Sequence, residues 1–530
     1  MNPDWWRGAV IYQVYPRSFQ DSDGDGVGDL AGLTSRLDYV AALGVDAIWL
    51  SPVFTSPMAD MGYDVADYRD IDPVFGTLDD FDRLIARAHA LGLKVIIDQV
   101  INHSSDQHPW FVESRASRDN PRADWYVWAD PRPDGTPPNN WQSLFGGPAW
   151  TWDAHRRQYY LHNFLSAQPD LNFHNPAVQE AVLDVLRFWL DRGVDGFRLD
   201  TVNFYFHDRQ LRDNPPRDTG PGTAPWPDLR PFDMQYSLYQ KSRPENLAFL
   251  QRIRALMDEY DDRTLVGEVG EMHEAIALMG SYTSGGRLHM AYAFEMLGDR
   301  LSPAHVRACI EGFFAGAPQG WPCWAFSNHD VHRHVTRWVA LGADSDSLAR
   351  LCAALLVSLQ GSLCLYQGEE LGQVQARLDR DELVDPQGIA FWPEDFGRDG
   401  CRTPMVWDHA ASQGGFTTGR PWLPVKPAQL AHAADLQTSP DSVLATYRAL
   451  LALRRDSADL RLGATTFLEV PEPVLAFRRG AGTLCVFNLS PDPQQVTLAG
   501  LGRVLARQAA EVAGQTLALG PSGYLIAAPA

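Results

Sequence analysis

Cysteine is scarce and unpatterned. Six residues (Cys309, Cys323, Cys352, Cys364, Cys401 and Cys485) are scattered through 530 positions, without the short spacings of a metal site or a disulfide framework, which points to reduced, buried thiols. Basic residues are outnumbered, 45 Lys and Arg against 66 Asp and Glu, for a net charge of −21. That balance argues against a nucleic-acid or anionic-membrane partner and favours a neutral small ligand. Long apolar runs are missing as well. The stretch LCAALLVSLQGSLCLY from Leu351 is broken by Gln360 and Gly361 and is too short to span a bilayer. The N-terminal stretch MNPDWWRGAV has no basic start, apolar core and small-residue cleavage site, so the expected location is cytoplasmic. Internal repeats and low-complexity tracts are absent from the sequence too.

What is present is a recurring unit. Short apolar runs that end in polar residues begin at Val10 (VIYQVYP), Asp46 (DAIWLSP), Lys94 (KVIIDQV), Gly196 (GFRLD), Thr264 (TLVGEV), Leu288 (LHMAYAF), Trp324 (WAFSNHD) and Ser362 (SLCLYQGEE). Each reads as a buried parallel strand. Helical patterns lie between them. In HNPAVQEAVLDVLRFWLDRGVDGF, Asn175 suits the cap and Pro176 the first turn, while Val178, Val182, Val185, Leu186, Trp189 and Leu190 make an apolar face that Gly193 ends. Eight such alternations predict an α/β fold, a (β/α)8 TIM barrel with its chemistry at the C-terminal ends of the strands. Residues 1–103 and 175–455 are assigned to the barrel. The Trp- and Pro-rich stretch 104–174, too long for an ordinary connection, is assigned to an inserted small domain after strand 3. Short extended runs in 456–530 predict a C-terminal antiparallel β domain, a β-sandwich.

Three carboxylates end three of these strands: Asp200 in GFRLDTVN, Glu268 in LVGEVG and Asp330 in FSNHD. Arg198, two residues before Asp200, shares its face of the strand and would keep a nucleophile ionised. Glu268, between Val and Gly, suits a drier setting and a raised pKa, as a proton donor requires. An ionised and a protonated carboxyl are the two parts of a retaining glycosidase. Near the N-terminus, DSDGDGVGDLAG places Asp21, Asp23, Asp25 and Asp29 among glycines like a cation-binding loop, but Gly32 stands where an EF-hand needs a bidentate Glu.

Taken in order, the blocks YQVYPRSFQDSDGDGVGDLAG, GYDVADY, DQVINHSSDQHPWF, QPDLNF, GFRLDTVN, GEV, FSNHD, YQGEELG and GRDGCRTPMVW resemble glycoside hydrolase family 13, the α-amylase superfamily. Within it they are most similar to the oligo-1,6-glucosidase and α-glucosidase branch, close to bacterial α-glucosidases with transglucosylation activity. The resemblance implies Asp200 as nucleophile, Glu268 as general acid/base, and Asp330, His103 and His329 on the hydroxyls of the distorted glucose, with Arg198 orienting the nucleophile. It further implies that Tyr63 stacks on the sugar, that Phe164 lines the substrate site, and that an Asp64–Arg402 ion pair closes the pocket behind the non-reducing end. Glu271 is expected to cap the next helix. In the N-terminal loop the resemblance implies one structural calcium or magnesium ion on Asp21, Asp23, Asp25, the Val27 carbonyl and Asp29, and no organic cofactor.

On specificity, QPDLNF matches the oligo-1,6-glucosidase side of the family, whereas Thr201 after the nucleophile favours α-1,4 linkages, as in maltose. The expected partners are small α-glucosides and hydroxyl acceptors, and the expected assembly is a monomer or homodimer. RLDRD at Arg377 spells a motif associated with sucrose isomerases but stands at a different place in the chain, so it is read as a charged loop; sucrose stays open as a donor. The segment from Asp208 to Asn246 is expected to fold over the fourth strand end and to limit substrates to short ones. A non-catalytic role, as in transporter-associated family members, is set against the full carboxylate set and the missing membrane helix.

Overall fold

Eight short strands, buried on both faces, set the architecture. In the computed structural model, which describes residues 4–217, 230–271, 274–342 and 344–529, these strands are β1 (Val10–Val14), β2 (Ala47–Leu50), β3 (Lys94–Gln99), β4 (Gly196–Leu199), β5 (Thr264–Val269), β6 (Met290–Ala293), β7 (Cys323–Ala325) and β8 (Ser362–Tyr366). They pair in parallel in chain order from β1 to β6, β7 pairs with β8, and β8 returns to β1. A parallel bridge from Ala291 to Pro322 closes the ring between β6 and β7. Alternate side chains fall into two cores: Val10, Tyr12, Ile48 and Ile97 join the large outer one, whereas Ile11, Trp49, Ile96 and Tyr292 fill the barrel. Burial on both faces is why these strands read as unbroken apolar runs.

Each strand is followed by a helix on the outside: α1 (Leu30–Leu43), α2 (Leu78–Ala90), α3 (Pro176–Asp191), α4 (Asn246–Met257), α5 (Ala275–Tyr282), α6 (Pro303–Gly316), α7 (Ser345–Ser358) and α8 (Val443–Asp456). The ends of α3 follow from its sequence. Asn175 Oδ1 accepts from the Ala177 N–H at 2.8 Å, Pro176 opens the first turn, and Gly193 follows the C-cap at φ +99°. Among the described residues no helix is long and apolar enough to cross a membrane.

Between β3 and α3 the chain builds a three-stranded antiparallel sheet (Trp128–Ala129, Trp150–Asp153 and Gln158–Leu161) with a small core around Trp141 and Trp150. An antiparallel bridge between His103 and Asp170 ties this insert to the barrel mouth.

After α8 come six antiparallel strands. Their hydrogen bonds connect them into one sheet. The reason is the long strand Thr516–Ala527, which pairs with Thr483–Asn488 and Gln494–Thr497 along one edge and with Val504–Ala513 along the other. One face of this sheet, with Phe477, Phe487 and Ile526, joins the outer barrel core, while Val486, Leu517 and Leu525 make a separate core on the other face.

Candidate active site

A cavity of about 430 Å3 opens at the C-terminal ends of the barrel strands, within the range of small-molecule sites. Asp200 and Glu268 extend β4 and β5 by the same alternation that aims Arg198 and Val266 into the barrel. Both are buried, and both line the cavity together with Tyr63, His103, Phe164, Thr201 and Asp330.

Beneath them lies one guanidinium. Arg198, 1% exposed, places Nη1 2.6 Å from Asp200 Oδ1 and 2.7 Å from Asp98 Oδ1, and Nη2 2.7 Å from Glu268 Oε1. It also lies 4.9 Å from the ring centroid of Trp49. Arg198 thus touches Asp200, and Asp98 and Glu268 as well. Burial pushes Asp200 up to about 7 and Glu268 up to about 7; Arg198 pulls each down, while Asp98 raises Asp200 and Asp200 raises Glu268. Asp98 is raised by burial to about 6. Three buried acids around one cation repel one another, so full ionisation of Asp98, Asp200 and Glu268 together is disfavoured.

The turn after β4 completes the pair. Thr201 N–H donates to Glu268 Oε2 at 3.0 Å, Thr201 Oγ1 donates to Asp200 Oδ2 at 3.2 Å, and Tyr292 Oη donates to Glu268 Oε1 at 3.2 Å.

Asp330 takes the opposite direction. Burial would raise it, but the guanidinium charges of Arg402 at 3.0 Å and Arg398 at 3.4 Å hold it well below the usual carboxylate range, with neutral His329 3.3 Å away. His329 stands behind the cavity wall, its ring stacked on Tyr63 with centroids 5.3 Å apart. Gln13 Nε2 lies 2.7 Å from His329 Nδ1, His329 Nε2 is hydrogen-bonded to Tyr63 Oη, and Tyr63 Oη donates to Asp98 Oδ2 at 3.1 Å. Burial drives His329 well below its ordinary pKa and lowers His103 to about 4. Both imidazoles are neutral, and His103 Nε2 donates to the Tyr63 carbonyl at 3.1 Å. Phe164 packs its ring 5.0 Å from that of His103.

Two expectations need correction. Asp64 and Arg402 do not pair. The Asp64 carboxylate accepts from Ser56 Oγ, Ala59 N–H and Asp60 N–H, each at 2.9 Å, and so holds the turn from 56 to 64 together. Arg402 donates to the His329 carbonyl at 2.7 Å and to Asp330. The ion pair at the cavity edge is Arg398 Nη2 to Asp60 Oδ1, 2.8 Å, with Asp385 2.7 Å away on the same nitrogen. Glu271 does not cap α5, whose N-cap position is Glu274; it pairs with buried Lys241 at 2.9 Å and lines the cavity. Of the segment from Asp208 to Asn246, Arg230, Phe232, Asp233 and Lys241 line the cavity, whereas residues 218–229 lie outside the described residues. Arg377 to Asp381, the RLDRD stretch, is not part of the lining.

In the N-terminal loop, carboxylate oxygens of Asp21, Asp23 and Asp29 lie within 4.8 Å of one another. Asp25 and Val27 stand outside this triple, with Val27 N–H donating to Asp25 Oδ1 at 2.7 Å. Asp29 also caps α1 through the Gly32 N–H. Burial and the charges of Asp23, Asp21 and Asp29 hold Asp25 above its ordinary value. A Cβ on Gly26, at φ +96°, would sit 1.9 Å from the Arg420 carbonyl, so only glycine fits where this loop meets the chain.

Residues 13–463 match the model of the alpha amylase catalytic domain. The chain belongs to the α-amylase family. It is 58% identical over 498 residues to a probable alpha-glucosidase of Rhizobium meliloti (strain 1021), covering 92% of this chain and 90% of that protein. It is 39% identical to an oligo-1,6-glucosidase of Heyndrickxia coagulans, over 85% of each. Among solved structures, an alpha-glucosyl transfer enzyme superposes with a TM-score of 0.95 at 52% identity over 99% of both chains, and a trehalulose synthase with a TM-score of 0.89 at 34% identity. The chain is thus an α-glucosidase-like enzyme of glycoside hydrolase family 13 that acts on α-glucosides.

Proposed function

We propose that the protein is a retaining, exo-acting α-glucosidase that cleaves non-reducing terminal glucosyl units from maltose and other short α-glucosides, with glucosyl transfer to hydroxyl acceptors as a second outcome. The observation that carries this reading is the single guanidinium of Arg198 shared by Asp200 and Glu268. A guanidinium that touches both keeps the two carboxyls close, which favours a retaining pair, whose carboxyls stand about 5–5.5 Å apart, over the wider gap an inverting enzyme needs for its water.

In the first step Asp200 attacks the anomeric carbon as Glu268 protonates the glycosidic oxygen, and the aglycone leaves from a β-glucosyl ester. In the second, Glu268 takes a proton from water or an acceptor hydroxyl, whose oxygen displaces Asp200 and restores the α configuration. Asp330, held ionised, offers two acceptor oxygens to sugar hydroxyls beside the developing positive charge. The Arg398–Asp60 pair supports the exo mode, because a buried ion pair at the blind edge of the cavity leaves no path for a longer chain.

Glucosyl transfer finds support in the likeness to the alpha-glucosyl transfer enzyme, and the α-1,4 preference rests on Thr201. Asp21, Asp23 and Asp29 would hold a divalent cation, calcium or magnesium, whose charge relieves their mutual repulsion; its role would be structural. The test follows by NMR the glucose released from 4-nitrophenyl α-glucoside, whose only sugar is the glucosyl unit that is transferred. α-Glucose as the first product, and its loss in Glu268→Gln with the fold intact, would support the reading; β-glucose would refute it.

A further inference from the structure

Thr201 occupies a backbone conformation that β-branched residues avoid, at φ +41°. Strain of this kind persists only where the surroundings enforce it, and here the turn meets both reacting carboxyls. The Thr201 and Val202 N–H groups donate to Glu268, one to side-chain Oε2 and one to the carbonyl, each at 3.0 Å. The Thr201 hydroxyl reaches Asp200 Oδ2, the oxygen that Arg198 does not hold. The two oxygens of Asp200 therefore have different donors: a guanidinium on Oδ1 and a neutral hydroxyl on Oδ2.

We propose that Thr201 is a positioning residue whose hydroxyl controls how readily Asp200 leaves the glucosyl ester, and so how long that intermediate survives to meet an acceptor. The proposal rests on the double-displacement reading above. When the bond from the anomeric carbon to Asp200 Oδ2 breaks, its electron pair returns to the carboxylate, while the incoming oxygen bonds to carbon and gives its proton to Glu268. A hydroxyl bonded to Oδ2 stabilises the departing anion more than the neutral ester, because hydrogen bonds to charged acceptors are the stronger ones. The hydroxyl thus speeds breakdown of the intermediate and weakens Asp200 as a nucleophile.

The test compares wild type, Thr201→Val and Thr201→Ser on 4-nitrophenyl α-glucoside. Valine keeps shape and backbone strain but loses the hydroxyl; serine keeps the hydroxyl. For Thr201→Val, kcat should fall by roughly tenfold and KM by at least as much, with kcat/KM on the pH plateau kept or raised. A burst of nitrophenol and a larger fraction of glucosylated enzyme after acid quench should accompany the fall, and the acidic limb of kcat/KM should move to higher pH. Thr201→Ser should restore all of these. A Thr201→Val enzyme with unchanged limb, burst and kcat to KM balance, altered only in its preference between maltose and isomaltose, would overturn the proposal, as would a serine variant that behaves like valine. An inverted product from wild type would instead remove the underlying double displacement.

Discussion

Replacing Arg198 by Met tests the charge balance at the centre of the site. Arg198 touches three buried acids at 2.6–2.7 Å, and a cation at that range lowers a carboxyl pKa by about 1–3 units. Its removal raises both Asp200 and Glu268. Activity needs the pair to carry one proton: the acidic limb of the pH profile is loss of the first proton, and the alkaline limb is loss of the second. Both rise, so the whole bell should move to higher pH by about 1–3 units, and kcat/KM on the acidic limb should fall roughly 10- to 1,000-fold. Part of the loss should return on raising the pH. The assay is kcat/KM for an aryl α-glucoside from acid to alkaline pH, with thermal unfolding in parallel, because an uncompensated buried charge cluster costs about 3–5 kcal/mol. Arg198→Lys keeps the charge but cannot bridge two carboxyls, and should shift the bell less. A bell that stays in place and only loses height would refute the argument, since Arg198 would then act through shape alone.

Arg398→Ala should admit longer maltodextrins by opening the cavity edge, whereas Asp64→Ala, which reaches that edge only through Asp60, should change chain-length preference less and lower the unfolding temperature more; maltose and maltoheptaose rates with melting curves separate the two. Chelation, or Asp21→Asn, should lower the unfolding temperature and leave kcat at moderate temperature unchanged, with added calcium or magnesium reversing the chelator; an unmoved melting curve would exclude a structural ion. Glu369 is raised by burial to about 8. The folded state therefore holds a proton that the unfolded state releases near its ordinary value, and stability is fully present at low pH and declines as pH rises toward 8. Glu369→Gln should flatten that decline in denaturation curves taken between the two values.

The barrel was legible because burial on both faces leaves an unmistakable run of apolar residues at each strand, and because Asn175, Pro176 and Gly193 mark the ends of a helix in a way the chain obeys. The C-terminal sheet was legible as extended and antiparallel but not in how its strands connect. That depends on a single strand, Thr516–Ala527, changing partners along its length, which no local pattern records. Asp98 went unnoticed although it begins the DQVINH block; its role appears only when three strands bring it against Arg198. Lys241 had no signal at all, lying in a connection whose path is set by contacts to Gly270 and Glu271.

The misplaced ion pair shows most clearly what a sequence leaves open. ADMGYD offers acids at Asp60 and Asp64, and GRDGCR offers cations at Arg398 and Arg402, each pair four residues apart. Residue type and neighbourhood suit either choice. The turn decides: Asp64 points back into its own loop, where three donors at 2.9 Å use up its oxygens, and this leaves Asp60 to face outward, where Gln168 and Arg398 meet it at 3.2 and 2.8 Å. Arg402 is likewise consumed, by the His329 carbonyl and Asp330. The carboxylate that builds the turn and the one that faces the cavity therefore depend on each other. Asp64→Asn, which keeps one acceptor and turns the other into a donor facing N–H groups, should loosen Asp60 and weaken the edge pair indirectly. Its KM for maltose should rise less than that of Asp60→Asn, while its unfolding temperature falls more; the reverse ranking would mean that Asp64 faces the sugar after all.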